Sequence, residues 1–290
     1  MTDRRTSAAL GPAEVRRLCA DLDLAPSKRR GQNFVHDPNT VRRIVASAGL
    51  GPDDVVLEIG PGLGSLTLPL LQAADRVVAV EIEPRLARTL EETVRRLAGA
   101  ASADRLVVLE RDALTLSSGD LLGVRPTALV ANLPYNVSVP VLLHVLCELE
   151  SLDSALVMVQ AEVADRLSAG PGSRTYGGPS VKLAWYGRAV PAGTVSRQVF
   201  WPVPNVDSSL VRFTRTSPPS TTATRQQVFA VVDAAFAQRR KSLRAALAGW
   251  AGSPVLAEQA LRAAGLDPGL RGERLAVEDF ARIAESRIEV

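Results

Sequence analysis

Residues 55–64, VVLEIGPGLG, predict the fold of this chain more directly than any other stretch. Residues 55–59 are an apolar run of strand length, a glycine-rich turn follows at 60–64, and residues 65–71 have a helical pattern. Strand, glycine turn and helix, in that order, open a nucleotide-binding βαβ unit. Glycines let the backbone approach a ligand, and the helix N-terminus offers free N–H groups. The stretch therefore predicts an α/β fold with a ligand at the glycine turn.

Three further apolar runs each precede a polar residue. The predicted strands are 76–80, 106–109 and 128–131, and the polar residues that follow them are Glu81, Asp112 and Asn132. Open α/β sheets bind ligands outside the carboxyl ends of their strands, so these side chains should meet at one edge. A carboxylate at Glu81 would accept hydrogen bonds from the two hydroxyls of a ribose. Asp112 could accept one from an adenine amino group.

The turn Asn132-Leu133-Pro134-Tyr135 has the chemistry of a base-binding site. Pro134 holds Leu133 extended, so the Asn132 amide oxygen and the Leu133 carbonyl can point the same way. Two adjacent acceptors suit an exocyclic NH2 group, and the ring face of Tyr135, rather than its hydroxyl, suits a stacked base. Taken alone, the stretch is equally consistent with a strand that ends in an ordinary turn.

The glycine turn distinguishes between two nucleotide ligands. A dinucleotide fingerprint requires Gly or Ala where this chain has Ser65. The pattern Gly60-x-Gly62-x-Gly64 instead resembles the loop of class I S-adenosylmethionine-dependent methyltransferases. The order of glycine turn, Glu81, Asp112 and the Asn132 turn supports this interpretation. We therefore predict a Rossmann-like class I methyltransferase sheet.

Several motifs together resemble one family. They are GQNF at 31–34, EIGPGLGSLT at 58–67, EIE at 81–83, RDAL at 111–114, NLPYN at 132–136 and FWPVPNVDSSLVRF at 200–213. The chain resembles the ribosomal RNA adenine N6,N6-dimethyltransferases from about residue 28 to residue 247. That family includes the enzyme that dimethylates two adjacent adenines near the 3′ end of 16S rRNA and the macrolide-resistance methylases of 23S rRNA. The NLPY turn with a VDSSLVRF strand favours the 16S branch.

The resemblance implies S-adenosylmethionine as cofactor and assigns residues to it. Asn33 and Val35 would close over its methionine end, Gly60 and Gly62 would line its carboxypropyl side, Glu81 would hold the ribose, Asp112 and Ala113 the adenine, and Asn132 would lie beside the sulfonium. The catalytic set is Asn132, Leu133, Pro134, Tyr135 and Phe200. Phe200 would face Tyr135 so that the target adenine lies between the two rings. The alternative for Phe200 is an ordinary core residue.

A polar Pro/Ser/Thr stretch at 214–222 predicts a domain boundary. Residues 1–215, with an N-terminal arm at 1–37, would form the catalytic domain. Beyond the boundary only helical patterns follow, at 225–247, 254–264 and 277–286. Residues 223–290 are therefore predicted to be a small helical RNA-binding domain.

Two clusters of cations are candidates for RNA phosphate contacts. One is Lys28, Arg29 and Arg30, and the other is Arg239, Arg240, Lys241 and Arg244. Each could also be a solvated surface, which is the usual role of a charge run. In a protein expected to act on RNA we favour phosphate binding, because such cations supply most of the sequence-independent affinity.

Composition limits the classes of protein to which the chain can belong. The chain has 290 residues, a net charge of +3, two cysteines and two histidines. This predicts two domains, no metal site, no membrane segment and a cytoplasmic location. We expect a monomer whose partner is 16S rRNA in the small ribosomal subunit. The alternatives are a 23S rRNA adenine N6-methyltransferase and a non-catalytic ribosome-assembly factor with the same fold.

Overall fold

A computed structural model of the chain describes residues 9–24 and 33–287. Its first elements are α1 (Pro12–Asp21), β1 (Phe34–Val35), α2 (Pro38–Ala48), β2 (Val55–Ile59), α3 (Thr67–Ala73), β3 (Arg76–Glu81), α4 (Pro84–Ala98), α5 (Ala100–Ala103), β4 (Leu106–Glu110), β5 (Ala128–Asn132), α6 (Ser138–Glu148) and β6 (Ser154–Gln160). They are followed by α7 (Ala161–Leu167), α8 (Gly178–Ala184), β7 (Gly187–Val195), β8 (Phe200–Trp201), β9 (Ser208–Arg215), α9 (Arg225–Ala237), α10 (Leu243–Ala246), α11 (Ala248–Ala251), α12 (Pro254–Ala263) and α13 (Val277–Glu285).

The main sheet has seven strands in the order β4-β3-β2-β5-β6-β9-β7. Strands β2 to β6 are parallel to their neighbours, whereas β9 is antiparallel to β6. Parallel neighbours of this kind need helical crossovers that cover the faces of the sheet, which explains why β2 and β5 are almost entirely apolar. The predicted α/β fold is confirmed.

Strand order brings the predicted ligand-binding ends together. β2 lies between β3 and β5, and its partners in register are Arg76 to Val80 on one side and Ala128 and Leu129 on the other. Because these strands run in the same direction, the glycine turn, Glu81, Asp112 and Asn132 all follow carboxyl ends at one edge of the sheet. A separate two-stranded pair, β1 with β8, joins Val35 to Phe200.

The contacts divide the chain into two compact units. The first comprises the residues up to Ala164 together with Val190–Thr214, and the second comprises Asp165–Ala189 and the chain from Arg215 onward. The second unit therefore includes a segment that the sequence assigned to the catalytic domain. Within this unit the Tyr176 ring lies 6.1 Å from that of Phe236, and its hydroxyl donates to the Leu275 carbonyl at 2.8 Å. Packing between distant residues, rather than chain order, sets this division.

The helix predicted over 225–247 is wrong as a single element. Helix α9 ends at Ala237, and α10 begins at Leu243. Between them the Arg239 guanidinium turns toward Glu273 and the Arg174 carbonyl, and the Leu243 N–H donates to the Leu270 carbonyl instead of continuing the helix. The helices predicted at 254–264 and 277–286 are present as α12 and α13.

Candidate active site

A cavity of about 630 Å³ lies at the carboxyl ends of β2, β3 and β5. All the residues that the sequence assigns to the cofactor line it, namely Asn33, Val35, Gly60, Gly62, Glu81, Asp112, Ala113 and Asn132. Pro134 also lines it. Its volume is within the range that small ligands and cofactors occupy in proteins. Eight residues chosen from the sequence alone thus surround a single cavity.

The glycine turn forms one wall of the cavity and requires its glycines. Gly60 and Gly62 have φ values of +67° and +58°, in the region that side chains rarely adopt. A Cβ on Gly62 would lie 2.8 Å from the Cε1 atom of Phe34, which is closer than atoms can approach. The backbone can therefore pass between Phe34 and the cavity only without a side chain.

Glu81 is held rigidly at the end of β3. One carboxylate oxygen accepts from the Gly62 N–H at 3.1 Å, and the other accepts from the Glu83 N–H at 2.9 Å. Burial raises the pKa of Glu81, although these backbone N–H groups lower it, because they favour the charged form. The carboxylate is thus oriented before any ligand arrives and still borders the cavity.

Glu58 also lines the cavity, although it is not among the site residues predicted from the sequence. It is 1% exposed, and one of its oxygens accepts from the Thr67 hydroxyl at 2.7 Å. Burial raises the pKa of Glu58 to about 8, the Thr67 hydrogen bond lowers it, and the charge of Glu81 raises it further. A charged residue inside the apolar run of β2 was the signal available in the sequence.

Two apolar side chains border the far end of the cavity beside Asp112. Ile82 is 64% exposed and Leu114 is 36% exposed, and both line the cavity. The carboxylate of Asp112 accepts from the Leu114 N–H at 2.9 Å, which fixes the turn. Exposed apolar residues next to a carboxylate suit a planar ring that carries an amino group. Asp112 and Ala113 are predicted from the sequence, whereas these two neighbours are not.

Residues 33–35 connect the glycine turn to the Asn132 turn. The Asn132 amide nitrogen donates to the Asn33 carbonyl at 3.1 Å, and the Ser65 hydroxyl donates to the Val35 carbonyl at 2.6 Å. Because its NH2 group is bound to Asn33, Asn132 presents its amide oxygen as an acceptor. Ser65, which departs from the dinucleotide fingerprint, therefore fixes the segment 33–35, which forms the lip of the cavity.

The other predicted catalytic residues lie outside the cavity lining. Leu133 is 1% exposed, and its N–H donates to the Met158 carbonyl at 3.1 Å. Tyr135 is half-buried, with its hydroxyl 2.8 Å from that of Ser208. Phe200 is fully buried in the core and paired with Val35. In this arrangement no face of the Phe200 ring is open to a base, so the sandwich with Tyr135 stays a prediction that requires β8 to move.

The cations of the two predicted clusters are not all free to bind RNA phosphates. Lys28, Arg29 and Arg30 lie outside the described residues. In the second unit, Arg239 pairs with Glu273 at 3.0 Å, and Arg244 pairs with Glu258 at 2.9 Å. Within 9–24 and 33–287, no ion pair is found for Arg240 or Lys241, and both are exposed. Of the four cations Arg239, Arg240, Lys241 and Arg244, the second and third are therefore the most available to an outside phosphate.

The described part of the chain contains no group of three or more His, Cys, Asp or Glu side chains arranged to hold a metal ion. In the same residues no helix is both long and apolar enough to span a membrane. The free cysteines Cys19 and Cys147 are buried and half-buried.

Comparison with known proteins agrees with this geometry. The family model for ribosomal RNA adenine dimethylases matches residues 26–289. The chain belongs to this family. A relative from Kineococcus radiotolerans, named ribosomal RNA small subunit methyltransferase A, is 63% identical over 97% of this chain and 92% of the relative. The predicted family is therefore confirmed, together with its enzyme class, rRNA adenine dimethyltransferase.

Two solved structures share the fold. A dimethyladenosine transferase from Plasmodium falciparum has a TM-score of 0.70 and 22% identity, over 86% of this chain and 95% of that one. The 23S rRNA methyltransferase ErmE has a TM-score of 0.63 and 29% identity, over 88% of this chain and 99% of that one. The fold and the family are those of S-adenosylmethionine-dependent methyltransferases.

Proposed function

We propose that this protein transfers methyl groups from S-adenosylmethionine to N6 of two adjacent adenines near the 3′ end of 16S rRNA, giving N6,N6-dimethyladenosine in the small ribosomal subunit. The observation that carries the proposal is the cavity, in which the glycine turn, Glu81, Asp112 and Asn132 meet at one edge of the sheet.

The cavity suits the proposed cofactor in three places. Glu81 offers fixed carboxylate oxygens to the ribose hydroxyls, because Gly62 and Glu83 hold both oxygens in position. Asp112 would accept from the adenine amino group, with Ile82 and Leu114 against the ring. The lip at 33–35 would cover the methionine end. When bound, S-adenosylmethionine supplies a methyl group already activated on a positively charged sulfur.

The task of the protein is then to position the nucleophile. The N6 lone pair of adenine is delocalised into the ring, so the amino group must be turned before it can attack. Asn132, whose oxygen is oriented by the bond to Asn33, would accept one N6 hydrogen, and the Leu133 carbonyl would accept the other. Alignment of this kind contributes on the order of 7 to 11 kcal/mol in ideal cases. After transfer the positive charge on N6 makes its proton acidic enough to leave to water.

Tyr135 would supply the surface on which the target adenine stacks after it leaves the RNA strand. Stacking on an aromatic ring contributes ~1 to 3 kcal/mol per base. Burial raises the pKa of Tyr135, so its hydroxyl stays protonated at neutral pH and is a structural group rather than a base.

Sequence identity to named relatives supports 16S rRNA rather than 23S rRNA as the substrate. Proteins named ribosomal RNA small subunit methyltransferase A are 58% to 63% identical to this chain over nearly its whole length, against 29% for the 23S rRNA methyltransferase ErmE. A non-catalytic assembly factor would have no need to keep the acceptor at Asn132 and the carboxylate at Glu81.

RNA binding would draw on cations outside the cavity. We assign phosphate contacts first to Arg240 and Lys241, since Arg239 and Arg244 are already paired with carboxylates. Lys28, Arg29 and Arg30 remain candidates from the sequence. We further propose that the protein works as a monomer in the cytoplasm on assembling small subunits.

Mass spectrometry of small-subunit rRNA tests the proposal. Cells that lack the protein should carry unmethylated adenines at the two positions, and the intact gene should restore dimethyladenosine where an Asn132→Ala gene does not. Full methylation in the deleted strain would exclude this function, and a loss confined to 23S rRNA would favour the alternative target.

A further inference from the structure

The ring of Tyr135 is tethered at its tip to a second strand. Its hydroxyl lies 2.8 Å from the Ser208 hydroxyl, and the two residues are 73 positions apart. Ser208 is fully buried and is the first residue of β9, opposite Gln160 of β6. The turn that holds Asn132 is thus connected to the antiparallel side of the sheet through one side-chain hydrogen bond.

Ser208 is well suited to hold the ring because its own backbone is fixed. The preceding residue, Asp207, accepts from the Arg197 N–H at 2.9 Å through its carboxylate. The Asp207 carbonyl accepts from the Ala161 N–H at 3.1 Å. Ser208 therefore enters β9 from a segment that is bonded on both sides, and its hydroxyl has little freedom to follow a moving ring.

The energy of this contact is large enough to matter. A buried hydroxyl that loses its hydrogen-bond partner is left as an unsatisfied polar group, which destabilises that arrangement. The phenolic oxygen lies on the axis about which χ2 turns, so holding it restricts χ1 and sets the direction and position of the ring. Stacking depends on that position, because a base gains contact only where a ring face lies against it.

We propose that Ser208 is a positioning residue whose hydroxyl holds the Tyr135 ring at the position where the target adenine stacks. This inference rests on the proposed function, in which Tyr135 receives the adenine. It also changes what the sequence alone implied for the hydroxyl, because Tyr135→Phe would release the ring and leave Ser208 without its partner.

A double-mutant cycle tests the tether. Ser208→Ala, Tyr135→Phe and the double variant are compared in single-turnover methyl transfer to unmethylated small subunits, at saturating cofactor. We expect each single change to lower the rate at subsaturating RNA roughly tenfold. The double variant should be no slower than the slower single variant, because both changes break the same contact. Cofactor affinity should be retained in all three variants. Ser208→Thr, which keeps the hydroxyl, should restore part of the rate. Ser209→Ala on the neighbouring residue is the matched control and should behave as wild type.

The proposal would be overturned if the fold-loss in rate of the double variant equals the product of the two single losses. It would also be overturned if Ser208→Ala reacts at the wild-type rate. A second readout does not depend on the substrate. In protein with 13Cζ-labelled tyrosine, the Tyr135 resonance is identified among the three by its loss in Tyr135→Phe, and it should show a slowly exchanging hydroxyl proton that Ser208→Ala abolishes. If that proton persists in Ser208→Ala, the tether is absent. If the NMR result holds while wild type methylates no small-subunit RNA, the proposed function has failed and the tether has not.

Discussion

The side-chain amide of Asn132 donates to the backbone carbonyl of Asn33 at 3.1 Å, although the residues are 99 positions apart. The contact orients the amide, because once the nitrogen is committed to Asn33 the oxygen is the group left for a substrate. It also joins the lip of the cavity to the turn at its base. The group proposed to hold the reacting amine is thus fixed by the same segment that borders the cofactor.

Replacement of Asn132 should therefore affect the chemical step more than binding. We expect Asn132→Ala to lower the single-turnover rate at least about 100-fold while the Kd for the small subunit changes little, since phosphate contacts elsewhere supply that affinity. Asn132→Asp keeps an acceptor but loses the donor to Asn33 and should also be slow. A variant that binds RNA poorly but, once saturated, reacts at the wild-type rate would contradict this role.

Glu81→Ala should weaken cofactor binding without unfolding the protein. The change removes the acceptor for the ribose hydroxyls, at a cost of ~1 to 3 kcal/mol for a buried hydrogen-bonded group. Calorimetric titration with S-adenosylmethionine should show a Kd raised by roughly fivefold to 150-fold. Glu91→Ala, on the exposed surface of α4, is the control and should leave the Kd unchanged. If Glu81→Ala and wild type bind S-adenosylmethionine with equal affinity, Glu81 does not bind the ribose.

Glu58 should make the stability of the cofactor-free protein depend on pH. Burial raises its folded-state pKa from 4.5 to about 8, so the folded state holds the proton more tightly than the unfolded chain does. The resulting stabilisation is complete below about pH 4.5 and is lost as the pH rises through about 8. Glu58→Gln resembles the protonated acid, so its free energy of unfolding relative to wild type should increase from pH 5 to pH 9. Denaturant titrations in which that difference stays constant would show that Glu58 is charged throughout.

The exposed cations of the second unit should account for part of the salt dependence of RNA binding. Arg240→Ala with Lys241→Ala should reduce the slope of log K against log salt by about 0.7 to 0.9 for each phosphate that is no longer neutralised, with cofactor affinity unchanged. Arg244→Ala is the matched comparison and should change the slope less, because Arg244 is already paired with Glu258. If Arg244→Ala has the larger effect, the distinction between paired and unpaired cations is wrong.

Local signals account for what the sequence predicted well. Helix α2 shows how local such signals are, because Asp37 caps its N-terminus, Pro38 occupies the first turn and Gly49 ends it with φ +69°. The ligand-binding edge followed from polar residues placed directly after apolar strands.

Contacts between residues far apart in the chain explain what the sequence did not predict. The burial of Phe200 depends on the pairing of β8 with β1. The break after Ala237 depends on Glu273 and Leu270, which no window around residue 240 contains. The hydrogen bond that holds the Tyr135 hydroxyl depends on Ser208, and the sequence around neither residue indicates it.

The most direct test of the proposed function is methyl transfer in vitro from tritiated S-adenosylmethionine to small ribosomal subunits that lack the modification. We expect up to four methyl groups per particle, all on N6 of the two adjacent adenines near the 3′ end of 16S rRNA, and none on large subunits or free 23S rRNA. Asn132→Ala should leave the particles unlabelled. Label on 23S rRNA in place of 16S rRNA, or no label with folded wild-type protein and intact small subunits, would contradict it.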